Sequence, residues 1–247
     1  MEDNYAFLRK KFEEIKDEGC YIIPKNSAGD IGNYFEKLLG LTNNGFPIAD
    51  FDGIEIKVKS HNSIYPINLF SLTCDGPDFF ELKRFVNRFG AKDKDFPQSK
   101  VLSIILSATT FNYWGKYLRM KLVIDKNAEK VFILVTTNSG RFIEKRSYWD
   151  FSSIKNVIER KLNILCFINA KVIYSHKNRF VWYDDMNFYK LQSFEQFIEL
   201  LCEGKINISI KYGVYKKGKK AGLAYDHGTS FVLSNKYIDS LFLLLEK

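Results

Sequence analysis

Ile48-Ala49-Asp50-Phe51-Asp52-Gly53-Ile54-Glu55-Ile56-Lys57-Val58-Lys59 changes character at Gly53. Before it lie acids and a turn. After it, apolar and charged residues alternate with the period of an extended strand. Ile54, Ile56 and Val58 point one way and Glu55, Lys57 and Lys59 the other. The side chains of Glu55 and Lys57 then share a face, roughly 6.5–7 Å apart along the strand. With an acid just upstream, two carboxylates converging there make an all-oxygen site suited to Mg²⁺. A lysine beside it can orient a water and offset charge building on phosphorus. A Glu-x-Lys pair alone is more often an exposed ion pair worth ~0–1 kcal/mol. The surrounding acids and the helix before it give the tripeptide its force.

Working outward, residues 2–19 read as an amphipathic helix with Phe7, Leu8, Phe12 and Ile15 at helical spacing. A second helix is expected at 30–39, with Ile31, Phe35, Leu38 and Leu39 as its apolar stripe and Gly40 as its stop. Asn43-Asn44-Gly45-Phe46-Pro47 has the composition of a turn. Strands are expected at 67–73, 101–108, 117–124, 130–137, 165–175, 179–184, 206–215 and 229–233. Helices are expected at 78–89, 151–162 and from the capping-box sequence at Ser193 to Cys202. Phe111-Asn112-Tyr113-Trp114-Gly115 reads as an aromatic turn. Ser234 opens a last helix whose Leu241-Phe242-Leu243-Leu244-Leu245 run packs inward. Strands outnumber helices without regular alternation, which makes the fold mixed α/β with a mixed or antiparallel sheet.

Composition narrows the function. The 247 residues carry 37 Lys and Arg against 29 Asp and Glu, a net charge of +8, and 16% are aromatic. Cations with interleaved rings suit nucleic acid, where phosphates meet charge and bases meet planar faces. No apolar run approaches the ~20 residues of a membrane helix. The acidic, polar Met1-Glu2-Asp3-Asn4 is unlike a secretory signal. Four scattered cysteines without a CxxC pair argue against zinc or a disulfide framework and for a reducing compartment.

Gly29-x-x-Gly32-x-x-x-Glu36, then Asp50-Phe51, then Gly53-Ile54-Glu55-Ile56-Lys57 resembles the active-site region of MutH-type nucleases of the PD-(D/E)xK group. Within it the likeness is greatest to the MvaI- and BcnI-like branch of monomeric type II restriction enzymes. That resemblance implies Asp50 and Glu55 as ligands of Mg²⁺, joined by the Ile56 carbonyl. Lys57 would position the attacking water, and Glu36 would order the site or a second metal. Ala49 stands where the motif has proline, and Asp50 lies unusually close to Glu55. Asp52 is therefore a rival first acid, although Asp50 fits the pattern better.

The resemblance further implies a restriction-endonuclease-like core with two lobes around a DNA cleft. On this reading 1–140 is catalytic and 141–233 reads DNA, with a C-terminal helix over 234–247 returning to the catalytic lobe. It implies a monomer in the bacterial cytoplasm that acts on double-stranded DNA, one strand per binding event, at CCWGG. A cognate DNA methyltransferase would share the cell. A MutH-like repair nickase and a non-catalytic DNA-binding module are the alternatives.

The segment 205–220 is rich in lysine and free of acids. Lys211, Lys216, Lys217, Lys219 and Lys220 with Tyr212 and Tyr215 suit a loop that straddles phosphates. Tyr225, Asp226, His227, Thr229 and Ser230 follow, with donors and acceptors able to meet base edges. Lys59 and Arg119 are further candidates for phosphate contact.

Overall fold

A computed structural model describes residues 2–24, 29–41 and 49–246. The expected turn at 43–47 lies outside them. The chain runs α1 (Glu2–Asp17), β1 (Tyr21–Pro24), α2 (Asp30–Leu38), β2 (Ile54–Ser60), β3 (Ile67–Ser71), α3 (Glu81–Phe89), β4 (Ala91–Lys92) and β5 (Lys100–Leu106). Next come β6 (Asn112–Trp114), β7 (Leu118–Asp125), β8 (Lys130–Thr137), β9 (Phe142–Glu144), β10 (Tyr148–Asp150) and α4 (Phe151–Lys161). The remainder is β11 (Ile164–Tyr174), β12 (Asn178–Leu191), α5 (Phe194–Cys202), β13 (Ile206–Val214), β14 (Ala224–Asp226), β15 (Ser230–Leu233), α6 (Ile238–Leu241) and β16 (Phe242–Glu246). No helix among the described residues is long and apolar enough to cross a membrane.

Two compact units form, and they interleave along the chain. One comprises Met1–Ile67, Ile158–Gln192 and Asp239–Lys247, the other Asn68–Val157 and Ser193–Ile238. The sequence reading places its boundaries near residues 140 and 233, with 234–247 returning to the first lobe.

The first unit is one sheet in the order β1-β12-β11-β2, with β16 on β12. β2 runs parallel to β11, with Ile54 opposite Ile164 and Glu55 opposite Leu165. The other pairings of this sheet are antiparallel. Leu8, Phe12 and Ile15 of α1 and Phe35 of α2 join Ile54 and Ile56 of β2 and Tyr183 of β12 in its core. Phe35 packs against Tyr183 with the rings tilted and their centroids 4.8 Å apart, and Tyr183 Oη donates to the Ile31 carbonyl at 2.8 Å, so α2 is pinned to the sheet. Phe7 falls off the α1 stripe: it is exposed and stacks on Phe51 at 5.5 Å.

The second unit holds two sheets, β10-β8-β7-β6 with β9 on β8, and β3-β15-β13-β5-β4 with β14 on β13. Phe70, Phe197, Phe231 and Trp149 pack together in its core, and the Trp149 indole donates to the Leu72 carbonyl at 3.0 Å. The expected aromatic turn at 111–115 contains the strand β6.

The C-terminal expectation needs correction. Residues 242–246 form β16, not helix, with Leu243 opposite Lys190 and Leu244 opposite Tyr189. β12 is long enough to offer a free edge there. Pairing with it satisfies the backbone and overrides the helix propensity of the leucines. Leu243, Leu244 and Leu245 consequently stay exposed rather than packing inward.

Candidate active site

The turn ahead of β2 explains how acids so close in sequence meet. Phe51 and Ile54 exchange both backbone hydrogen bonds, at 3.0 and 2.7 Å. Asp52 and Gly53 between them have φ of 40° and 85°. Asp-Gly is a favoured pair for a two-residue hairpin turn with both central φ values positive. The turn folds Asp50 back along the outer edge of β2, where its Oδ2 accepts from the Ile56 N–H at 2.9 Å. A residue's N–H and C=O leave the same side of an extended strand, so the Ile56 carbonyl lies along that edge too. Asp52, the rival acid, turns to Asn4 of α1, whose amide reaches it at 2.5 Å.

β2 buries Glu55 and Lys59 of its polar face as well as most of its apolar one. Glu55 is 1% exposed and bonds through Oε1 to Lys57 Nζ. Lys161, the last residue of α4, brings its Nζ to the same oxygen at 3.5 Å. Glu55 Oε2 is buried with no hydrogen-bond partner among the described residues. Burial raises the Glu55 carboxyl above its ordinary range; Lys57 opposes this, Asp50 adds to it, and Lys161 opposes. Glu36 on α2 is also raised, by burial first and then by the charge of Asp50, with Lys57 and Lys161 opposing and Glu55 adding. Three carboxylates and two ammonium groups thus lie within electrostatic reach of one another.

The donor set is entirely oxygen, the chemistry of a hard divalent cation. No three His, Cys, Asp or Glu side chains among the described residues are drawn together as a ready ligand group. A bare, buried carboxylate oxygen on the strand whose Ile56 N–H meets Asp50 nonetheless fits such a cation. An unpaired buried acceptor is costly unless something meets it.

The comparisons with known proteins identify the family. Residues 9–242 match the MvaI/BcnI restriction endonuclease family. The chain belongs to that family. As a member of the MvaI/BcnI family it is a DNA-cleaving enzyme of the restriction-endonuclease type, with the mixed α/β fold expected. One similar solved structure is the restriction endonuclease MvaI in complex with its cognate DNA substrate. It shows 24% identity and a TM-score of 0.91, covering 99% of this chain and 98% of that one. Another is MvaI in the absence of DNA, at 22% identity and a TM-score of 0.63, covering 99% and 97%. Identities this low carry the fold alone. No curated protein matches the chain.

The residues singled out for DNA contact in this family member divide into two sets. In the second unit Lys211, Tyr212, Tyr215, Lys217, Tyr225 and His227 line one open cavity of about 760 Å³. Tyr215 stacks on Tyr225 at 3.8 Å, and Tyr225 meets His227 at 3.9 Å. Lys219 and Lys220 are exposed nearby in sequence, with Lys220 Nζ 5.6 Å from the Tyr215 ring.

The other set has structural occupations. Lys216 also lines that cavity, but its Nζ reaches both Asp93 oxygens at 2.7 Å and Asp95 at 2.9 Å. Asp226 accepts from the Gly228 N–H at 2.9 Å and the Thr229 hydroxyl at 3.3 Å, holding the turn into β15. Thr229 and Ser230 are buried. Arg119 lies over Phe111 at 4.3 Å and donates to Thr136 Oγ1 at 3.1 Å. Lys59 is buried with its Nζ on the Tyr65 carbonyl, and burial lowers its pKa to about 8. Sequence reasoning missed Lys161 at the site, because 106 residues separate it from Glu55.

Proposed function

We propose that this enzyme is a Mg²⁺-dependent type II restriction endonuclease that hydrolyses phosphodiester bonds in double-stranded DNA at a short specific site. The observation that carries the reading is Glu55. It is a fully buried carboxylate with one oxygen on Lys57 and the other bare, beside an Asp50 that a tight hairpin turn brings to the same strand edge.

Asp50, Glu55 and the Ile56 carbonyl would hold the cation. When bound, it supplies charge against the scissile phosphate and lowers the pKa of water. Lys57, fixed by Glu55, orients the water for in-line attack and offsets the charge that grows on the phosphorus. Glu36 adds negative charge to the cluster from α2. The first unit supplies the chemistry. The second reads the sequence through the tyrosines and lysines of β13, β14 and the turn between them. The solved relative in complex with its cognate DNA supports duplex DNA as the substrate.

A single active site per chain makes the monomer cut one strand per binding event, so a double-strand break requires a second binding in the opposite orientation. The family likeness favours CCWGG as the target. A bacterial cytoplasm containing a matching methyltransferase follows from the same likeness, since an unprotected genome carries the site.

The test is digestion of supercoiled plasmid with Mg²⁺ beside Asp50→Ala and Lys57→Ala variants. Discrete fragments, lost in both variants, with ends that map to one sequence, are expected. Nicked circles alone replace this reading with a MutH-like nickase. An intact plasmid with a folded protein replaces it with a binding module.

A further inference from the structure

Glu55 carries its two oxygens unequally. Oε1 meets two ammonium groups, those of Lys57 and Lys161, while the buried Oε2 meets none. Lys161 reaches this point because α4 runs almost directly into β11. The parallel ladder sets Leu165 opposite Glu55, so the residues just ahead of β11 arrive level with the carboxylate. Ile158, Leu162 and Ile164, all nearly fully buried, fix the end of the helix and the start of the strand. The Lys161 side chain is itself only 20% exposed. The water-orienting task falls to Lys57, and a second lysine on the same oxygen calls for a different one.

We propose that Lys161 is a positioning residue that acts through Glu55, holding it as a counter-ion until DNA and the divalent cation arrive together. The inference rests on the nuclease reading above. Repulsion between an ammonium and a dication a few ångströms apart exceeds thermal energy several-fold, even at the dielectric of a protein surface. Without DNA the two lysines therefore oppose loading of the cation. A phosphodiester entering the site offers Lys161 another anion, which frees Glu55 and adds negative charge for the cation. DNA and cation binding become positively coupled, and that coupling is reciprocal. Water is then activated only where a phosphate is present to be attacked.

The test titrates Ca²⁺ into the full-length, DNA-free protein by calorimetry, for wild type, Lys161→Met, Lys161→Arg and Glu55→Gln, with thermal melts to confirm folding. Lys161→Met is expected to bind Ca²⁺ at least tenfold more tightly than wild type. Lys161→Arg, which keeps the charge, should match wild type. On plasmid with saturating Mg²⁺, Lys161→Met should lose at least tenfold in kcat with little change in KM. Unchanged or weaker Ca²⁺ binding in Lys161→Met, with Glu55→Gln abolishing it, overturns this role and leaves the nuclease reading standing. Binding that survives Glu55→Gln moves the cation elsewhere and overturns both. The absence of binding in wild type and Lys161→Met alike overturns the role of Lys161. If Lys161→Met fails to fold, Lys161→Gln carries the same expectations.

Discussion

Removing Arg84 from the second unit tests the physical account of its stability. Glu81 is completely buried, and Arg84 Nε donates to both of its oxygens at 2.9 Å. Ser147 Oγ adds a bond at 2.6 Å, and Arg146 Nε stands off at 3.5 Å. Arg84 also reaches Glu144 at 2.6 Å, tying α3 to β9. Replacing Arg84 by Met leaves a buried carboxylate with one hydroxyl and one distant cation. Breaking a buried pair from one side costs ~3–5 kcal/mol. Arg84 is 29% exposed, so water reaches part of the vacated space and the lower end applies, about 3 kcal/mol. With a urea m-value of ~2–3 kcal/mol/M, the midpoint should fall by about 1–1.5 M. The assay is urea unfolding followed by tryptophan fluorescence, to which the buried Trp149 of the same unit contributes. Removing both charges, as Arg84→Met with Glu81→Leu, should recover about half or more of the loss, because the fully buried charge is gone and Glu144 keeps its pair with Arg88. A single variant within about 0.5 kcal/mol of wild type, or a double variant as costly as the sum of the singles, would falsify the reasoning.

The same cluster sets a pH dependence. Burial acts to raise the Glu81 carboxyl, but the bonds from Arg84 and Ser147 prevail and hold it below its ordinary value of 4.5. A lowered folded pKa contributes stability that is present above 4.5 and lost as pH falls through the folded value. Melting temperature should therefore drop on acidification below that point, and less steeply in the double variant. Asp50→Asn should lower cleavage on the order of a hundredfold or more, while Asp52→Asn stays within about threefold. Equal losses in plasmid assays would return the first-acid role to Asp52. Lys217→Ala should flatten the log–log salt dependence of DNA affinity by about 0.9, whereas Lys216→Ala should leave the slope unchanged because Asp93 and Asp95 already hold that ammonium. Phe35→Ala should cost about 3–5 kcal/mol in denaturant titrations and depress cleavage, since Phe35 anchors the helix that carries Glu36.

What the sequence made legible lies within a few residues of the Asp-Gly turn. Alternation from Ile54 onward marks the strand, the charged residues mark its second face, and Asp50 stands out as an acid at the end of a turn. Each depends on local backbone chemistry, so a short window suffices. Alternation also sends Glu55, Lys57 and Lys59 toward water by default, yet Glu55 and Lys59 are buried. Whether a polar strand face meets solvent depends on elements that arrive from elsewhere in the chain. Lys161 depends on the register of β11 against β2, and β16 on the edge that β12 leaves open; neither partner is visible in the segment itself. The sites that are hardest to read are those where distant segments impose a costly environment on a charge. A buried carboxylate with one bare oxygen is costly, and a cation that met that oxygen would offset the cost. Lys57 and Lys161 hold the other oxygen, so the carboxylate is compensated on one side and keeps an acceptor on the other. Their charges can be lost one at a time, which makes the two lysines separable by experiment: Lys57→Met should abolish turnover at any cation concentration, while the defect of Lys161→Met should appear beside tighter cation binding.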